Sequence, residues 1–140
     1  MKTLLKSTLY SVLILLLFQV SGTRALAGGT DSGKLSFAIS IPDSWQSFLQ
    51  RSDYGNETVF NFITPDDDPV FLFSVTKVTD EQWNQLQATI QNYEIISNEN
   101  GYITFVQRTP LTNIKGASDQ QFRSMSLLLD QVINSITVSQ

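Results

Sequence analysis

Three consecutive carboxylates, Asp66, Asp67 and Asp68, stand between Pro65 and Pro69 and form the densest set of oxygen ligands in the sequence. A cluster of this kind could hold a divalent cation such as calcium, which takes about six to eight oxygens at about 2.3–2.6 Å. Calcium loops place their ligands at alternate positions around a glycine bend. Here three neighbours point in different directions, and no Gly or ligating Glu follows at the required spacing. Asp53 and Glu57, in the preceding loop, are the residues that could help complete such a set. The competing reading is a turn. Pro65 suits the second position of a β-turn, aspartates bond back to nearby backbone, and Pro69 guards the start of the following strand. The spacing argues for the turn, with a weak cation or small-ligand site at Asp66–Asp68 as the alternative.

Other routes to catalysis are narrow. The chain has no His and no Cys. Imidazole is the usual general base near neutral pH and the commonest transition-metal ligand. Without either residue type the chain cannot build a Ser-His-Asp triad, a Cys-His pair, an ordinary zinc site or the usual haem ligation. No G-x-S-x-G, Walker or dinucleotide-binding fingerprint is present. A carboxylate-dependent hydrolase acting on glycans would need two carboxyl groups facing each other about 5–9.5 Å apart. No motif marks such a pair. The sequence therefore points to a non-enzymatic protein with no cofactor.

Surface contact is the remaining chemistry. Trp45, in "IPDSW", could serve as an exposed anchor, since Trp is enriched in binding hot spots. The favoured reading is a core-capping side chain, because large aromatics are mostly buried. Tyr54, Gly55 and Asn56 fall in an irregular stretch between Arg51 and Glu57, and loops carry function more often than cores do. Tyr54 and Asn56 are therefore candidate contact residues. Asn56-Glu57-Thr58 also matches a glycosylation sequon, a motif short enough to arise by chance. Charged residues make up 16% of the chain, below the usual level of about 25%. Amides and hydroxyls fill stretches such as "EQWNQLQATIQNY" instead, a surface suited to polar contacts with a protein or glycan.

The N-terminus addresses location. Lys2 and Lys6 precede the 12-residue stretch Leu9–Val20, and Ala25, Ala27 and Gly28 follow it. A basic region, a short apolar region and an A-x-A site together make a secretory signal peptide. A spanning helix would need about 20 apolar residues. Residues 1–27 are therefore expected to be cleaved after Ala27, leaving a soluble periplasmic or extracellular protein without a membrane anchor. Residues 28–34 read as a flexible lead and residues 35–140 as one domain. Removing Lys2, Lys6 and Arg24 leaves 6 basic against 13 acidic residues, a net charge of −7. An acidic domain without a basic cluster repels phosphate backbones, so nucleic acid is excluded as a partner class.

The elements that position these residues follow from periodicity. In "KLSFAISIP", Leu35, Phe37, Ile39 and Ile41 alternate with small or polar residues, the signature of a half-buried strand. "ETVFNFIT" and "VFLFSVTKV" read as strands with apolar residues on both faces, which calls for cover on both sides. Thr79 and Gln82 form a capping-box pattern ahead of a helix carrying Trp83, Leu86 and Ile90 on one side. Asn100-Gly101 sits at the turn of a hairpin between "YEIIS" and "YITFVQR". Ser118 opens a last helix with an apolar stripe of Phe122, Met125, Leu129, Val132, Ile133 and Ile136. The expected order is strand, strand, strand, helix, strand, strand, helix.

"FAISIPDSW" (37–45), "LFSV" (72–75), "GYITFV" (101–106) and "FRSMSLLLDQVINSI" (122–136) together resemble small exported bacterial proteins of the PsbP-like fold. The resemblance spans residues 35–138. It implies an α+β domain, a mostly antiparallel sheet of about five strands with helices on both faces. It also implies a binding or accessory role, and it carries no functional residues across. The expected function is an exported accessory module that contacts a protein partner through its surface.

Overall fold

The computed structural model describes residues 33–65, 68–108 and 119–139, all within the unit Gly33–Gln140. The expected signal segment 1–27, Asp66, Asp67 and Ser118 lie outside the described residues. The order is β1 (Phe37–Ala38), a 3₁₀ helix (Asp43–Phe48), β2 (Leu49–Asp53), β3 (Glu57–Phe62), β4 (Val70–Thr79), α1 (Asp80–Leu86), β5 (Tyr93–Glu99), β6 (Tyr102–Arg108), α2 (Asp119–Asn134) and β7 (Thr137–Val138). This is an α+β domain. Five antiparallel strands form one sheet in the order β2-β3-β4-β6-β5, and β1 pairs with β7 in a separate two-stranded ribbon.

Two expectations about order are corrected here. The stretch from Leu35 to Ile41 does not join the main sheet. Its alternation is real, since Leu35 is buried and Phe37, Ile39 and Ile41 pack against the core while Ser36, Ala38 and Ser40 are exposed. Its backbone, however, bonds elsewhere: Leu35 N–H donates to Gly55 O, Ser40 N–H to Ser135 Oγ, and Ser139 N–H to Ser36 O. Alternation reports which side of an extended chain is buried and leaves open which strand it pairs with. The fifth strand of the sheet is instead β2, whose polar "LQRSD" carries little apolar alternation because it lies at a sheet edge.

Strand alternation sorts the sheet's side chains onto two faces. On one, Phe60, Phe62, Phe73, Val75 and Val106 meet the α2 stripe of Phe122, Met125, Leu129, Val132 and Ile133, together with Leu35 and Trp45. Phe122 packs edge-on to Phe62 at 5.4 Å. On the other, Phe105 lies 5.0 Å from Trp83 of α1, and Ile103 and Val78 are buried beside it in register. The two helices thus cover opposite faces.

Local signals set the ends of the elements. The Thr79 N–H donates to Gln82 Oε1 at 2.9 Å and the Gln82 N–H donates to Thr79 Oγ1 at 3.2 Å, a complete capping box. The helix stops at Leu86, short of Ile90, because its last turn closes with bonds from Thr89 and Ile90 to Leu86 O. Thr89 and Ile90 are β-branched and gain little from a longer helix. Asn100 (φ 55°) and Gly101 (φ 79°) both adopt the left-handed region that a two-residue hairpin turn requires. Two bulges bend the sheet, one opposite Phe60/Asn61 where Leu72 is the extra residue, the other at Ile96 of β5.

Candidate functional site

The expected contact residues separate in the fold. Trp45 takes the core-capping reading, and the surface-anchor option is corrected. It sits in the 3₁₀ helix, held by its N–H to Pro42 O at 2.9 Å, and its side chain is only 1% exposed within the main apolar cluster. A buried ring of that size stabilises the fold and is not available to a partner. Tyr54, at the β2–β3 turn, is 55% exposed. Asn56 is spent on structure: its Nδ2 donates to Lys77 O, and its own carbonyl accepts from Lys77 N–H at 2.8 Å. Both ends of this residue thus tie the turn to β4.

The aspartate turn is only partly described. Asp68 is exposed between β3 and β4, and Asp66 and Asp67 lie outside the described residues. Asp53 and Glu57 flank the end of β3 away from Asp68, about 16 Å of strand distant. Among the described residues no group of three or more His, Cys, Asp or Glu side chains converges as a metal site would.

Asp53 and Glu57 are also kept apart from each other. Asp53 pairs in register with Thr58, which puts it on the α2 face, while Glu57 is one residue on and projects from the other face. The Thr58 hydroxyl donates to Asp53 Oδ1 at 2.6 Å and holds that carboxyl below its usual range; burial opposes it, and Arg51 adds smaller effects in the same direction as Thr58. Glu57 behaves in the opposite way. It is only 5% exposed, and burial pushes its carboxyl up to about 7. The Thr76 hydroxyl, its cross-strand partner on β4, pulls weakly the other way. That hydroxyl makes no regular hydrogen bond among the described residues. Thr76, Ser74 and Glu57 form a buried polar row on a face otherwise lined by Val59 and Val78. A lone carboxyl near neutrality can exchange a proton. The two-carboxylate chemistry of a glycosidase needs a second group opposed to it, and Asp53 projects from the other face.

The sheet's β5 edge carries a second feature. Tyr93 and Ile95 project on the α1 side of this edge strand, in register with Gln107 and Phe105, and are 39% and 45% exposed. The Tyr93 ring meets Trp83 edge-on at 5.1 Å. Trp83 is buried beneath, so the three side chains make a shelf with an aromatic floor and an open apolar front. The charged residues nearby point elsewhere: Glu94, on the opposite face, accepts from Arg108 at 3.2 Å, and Arg108 also bonds Asp130 of α2. The signal in the sequence was the Tyr93–Ile95 spacing, two apolar side chains on one face of a strand. What could not be read was that β5 would be an edge.

Among the described residues no helix is long and apolar enough to cross a membrane. Comparison of the chain with protein-family models, curated proteins and solved structures gives no match.

Proposed function

We propose that this chain is an exported, non-enzymatic accessory module that engages a protein partner through the Trp83–Tyr93–Ile95 shelf. The observation that carries this reading is the half-exposure of Tyr93 and Ile95, side by side on an edge strand and braced by a buried Trp. Aromatic side chains pre-organised by packing lose little freedom on binding, which is why they recur as interface anchors. The bulge at Ile96 and the acidic Glu94 and Glu99 discourage indiscriminate strand pairing along the same edge. Contact is therefore made by side chains on the face of β5 rather than by adding a strand. The resemblance to PsbP-like proteins and the signal-like N-terminus support the accessory role and the exported location.

The test is site-specific photo-crosslinking in native envelope extract. A benzophenone side chain in place of Ile95 is expected to trap one discrete protein, and Tyr93→Ser in the same chain to abolish that product. The same probe in place of exposed Gln50, at the opposite edge of the sheet, is expected to trap nothing comparable. Equal products from both positions, insensitive to Tyr93→Ser, would overturn the reading.

A further inference from the structure

Glu57 opens β3 directly after the Tyr54–Asn56 turn, and four backbone bonds converge on that junction. Tyr54 N–H donates to Glu57 O at 2.7 Å, Asn56 N–H to Tyr54 O at 3.2 Å, Lys77 N–H to Asn56 O at 2.8 Å, and Leu35 N–H to Gly55 O at 3.0 Å. The last bond joins the N-terminal lead to the turn. Gly55 supplies the positive φ of 84° that the turn needs. Whatever holds Glu57 in place therefore holds both the turn and the lead.

The carboxyl is buried beside a hydroxyl that has no hydrogen-bond partner among the described residues. A neutral carboxylic acid tolerates such a place. A carboxylate there has lost its water and has only the neighbouring Thr76 hydroxyl to compensate it, which is costly. Among the described residues no counter-charge is at hand. The β4 side chains on its face are Ser74, Thr76 and Val78, and Lys77 projects from the other face toward the Tyr102 ring and Lys34 O. Asp53 of β2 points to the α2 face and is bonded to Thr58 and Arg51. Asp80 and Glu81 of α1 are exposed and do not enter the balance at Glu57, which burial sets against the Thr76 hydroxyl.

We propose that Glu57 is a proton latch: neutral, it holds the Tyr54–Asn56 turn and the bonded Leu35 lead closed, and ionised it moves to water and releases them. The device is independent of the shelf on β5, which belongs to the opposite edge of the sheet. It gives the domain two states of its exposed Tyr54 loop, set by the acidity of the compartment.

The experiment is amide hydrogen exchange at Leu35 and Lys77, corrected for intrinsic rates, between pH 6 and pH 8. If the closed form carries a carboxyl near 7 and the open form an ordinary one, opening increases about tenfold over that interval. The expected result is a tenfold loss of protection at both amides in the native chain, and flat protection in Glu57→Gln. Thr76→Val removes the hydroxyl that favours the ionised form, so the release should move to higher pH. Carbon-detected titration of the Glu57 carboxyl gives an independent reading, with a midpoint near 7 expected. Protection that does not change with pH, the same fall in Glu57→Gln, or an ordinary carboxyl midpoint would each overturn the latch.

Discussion

Phe60 and Phe73 are cross-strand partners in β3 and β4, and their rings stack 4.4 Å apart at an interplanar angle of 11°. Both are buried at the centre of the α2-side core, with Phe37 packed edge-on against Phe60 at 6.5 Å. Replacing Phe73 by Ala deletes the ring and leaves a cavity that neighbouring strands cannot close. The expected loss is about 3–5 kcal/mol, a large part of the roughly 5–15 kcal/mol that holds a domain of this size. Urea unfolding followed by Trp fluorescence measures it directly. Phe73→Leu, which keeps most of the volume, should lose less than half as much.

The capping box at Thr79 is a smaller and more local contribution. Thr79→Ala removes the acceptor for the Gln82 N–H at the start of a helix only two turns long. Loss of such a cap costs about 1 kcal/mol. Because α1 carries Trp83, fraying there should also raise the solvent exposure of that ring and shift its emission to the red. Thr79→Ser keeps the hydroxyl and should restore both stability and emission.

Capping and hairpin chemistry was legible in the sequence because it is local. Thr79 with Gln82, and Asn100 with Gly101, specify their own geometry within a few residues. So does the α2 stripe, since a helix buries one face whatever it packs against. The strand β2 was not legible: Arg51 and Asp53 at a sheet edge meet solvent, and nothing in "LQRSD" distinguishes a polar edge strand from a loop. Leu35–Ile41 fails for the complementary reason. Its side chains find the core, but its pairing depends on Ser36 meeting Ser139, over a hundred residues away. Glu57 opens the expected strand "ETVFNFIT", and its period-two alignment with Val59 puts a carboxylate on a face that the neighbouring strand composition marks as covered. How deep it is buried depends on β4 and the opposite layer, and no local pattern carries that.

The turn reading of Asp66–Asp68 makes a plain prediction for cations. A native-state site of about 10 µM would add about 2.7 kcal/mol of stability at 1 mM calcium. Thermal melts of residues 28–140 in 1 mM calcium, in 1 mM magnesium and in chelator are expected to superimpose. Neutralising all three aspartates to Asn should leave the three curves together. A calcium-specific rise that the Asn variant abolishes would make this stretch a site.

The buried carboxyl sets the pH dependence of folding. Glu57 has a folded value of about 7 against an ordinary 4.5. Between those values the folded chain keeps a proton that the unfolded chain has lost. The stabilisation is therefore complete below about pH 4.5, declines as pH rises, and is gone above about pH 7. The size of the effect is about 3–4 kcal/mol, from the difference between the two values at about 1.4 kcal/mol for each pH unit. Asp53 is held below its usual range and acts in the opposite sense at lower pH. The comparison must therefore be the difference between the native chain and Glu57→Gln, by urea unfolding at pH 5, 6, 7 and 8. That difference should fall steadily in favour of the variant from pH 5 to pH 7 and then level off. Parallel curves for the two chains would mean that Glu57 reaches solvent in the folded state.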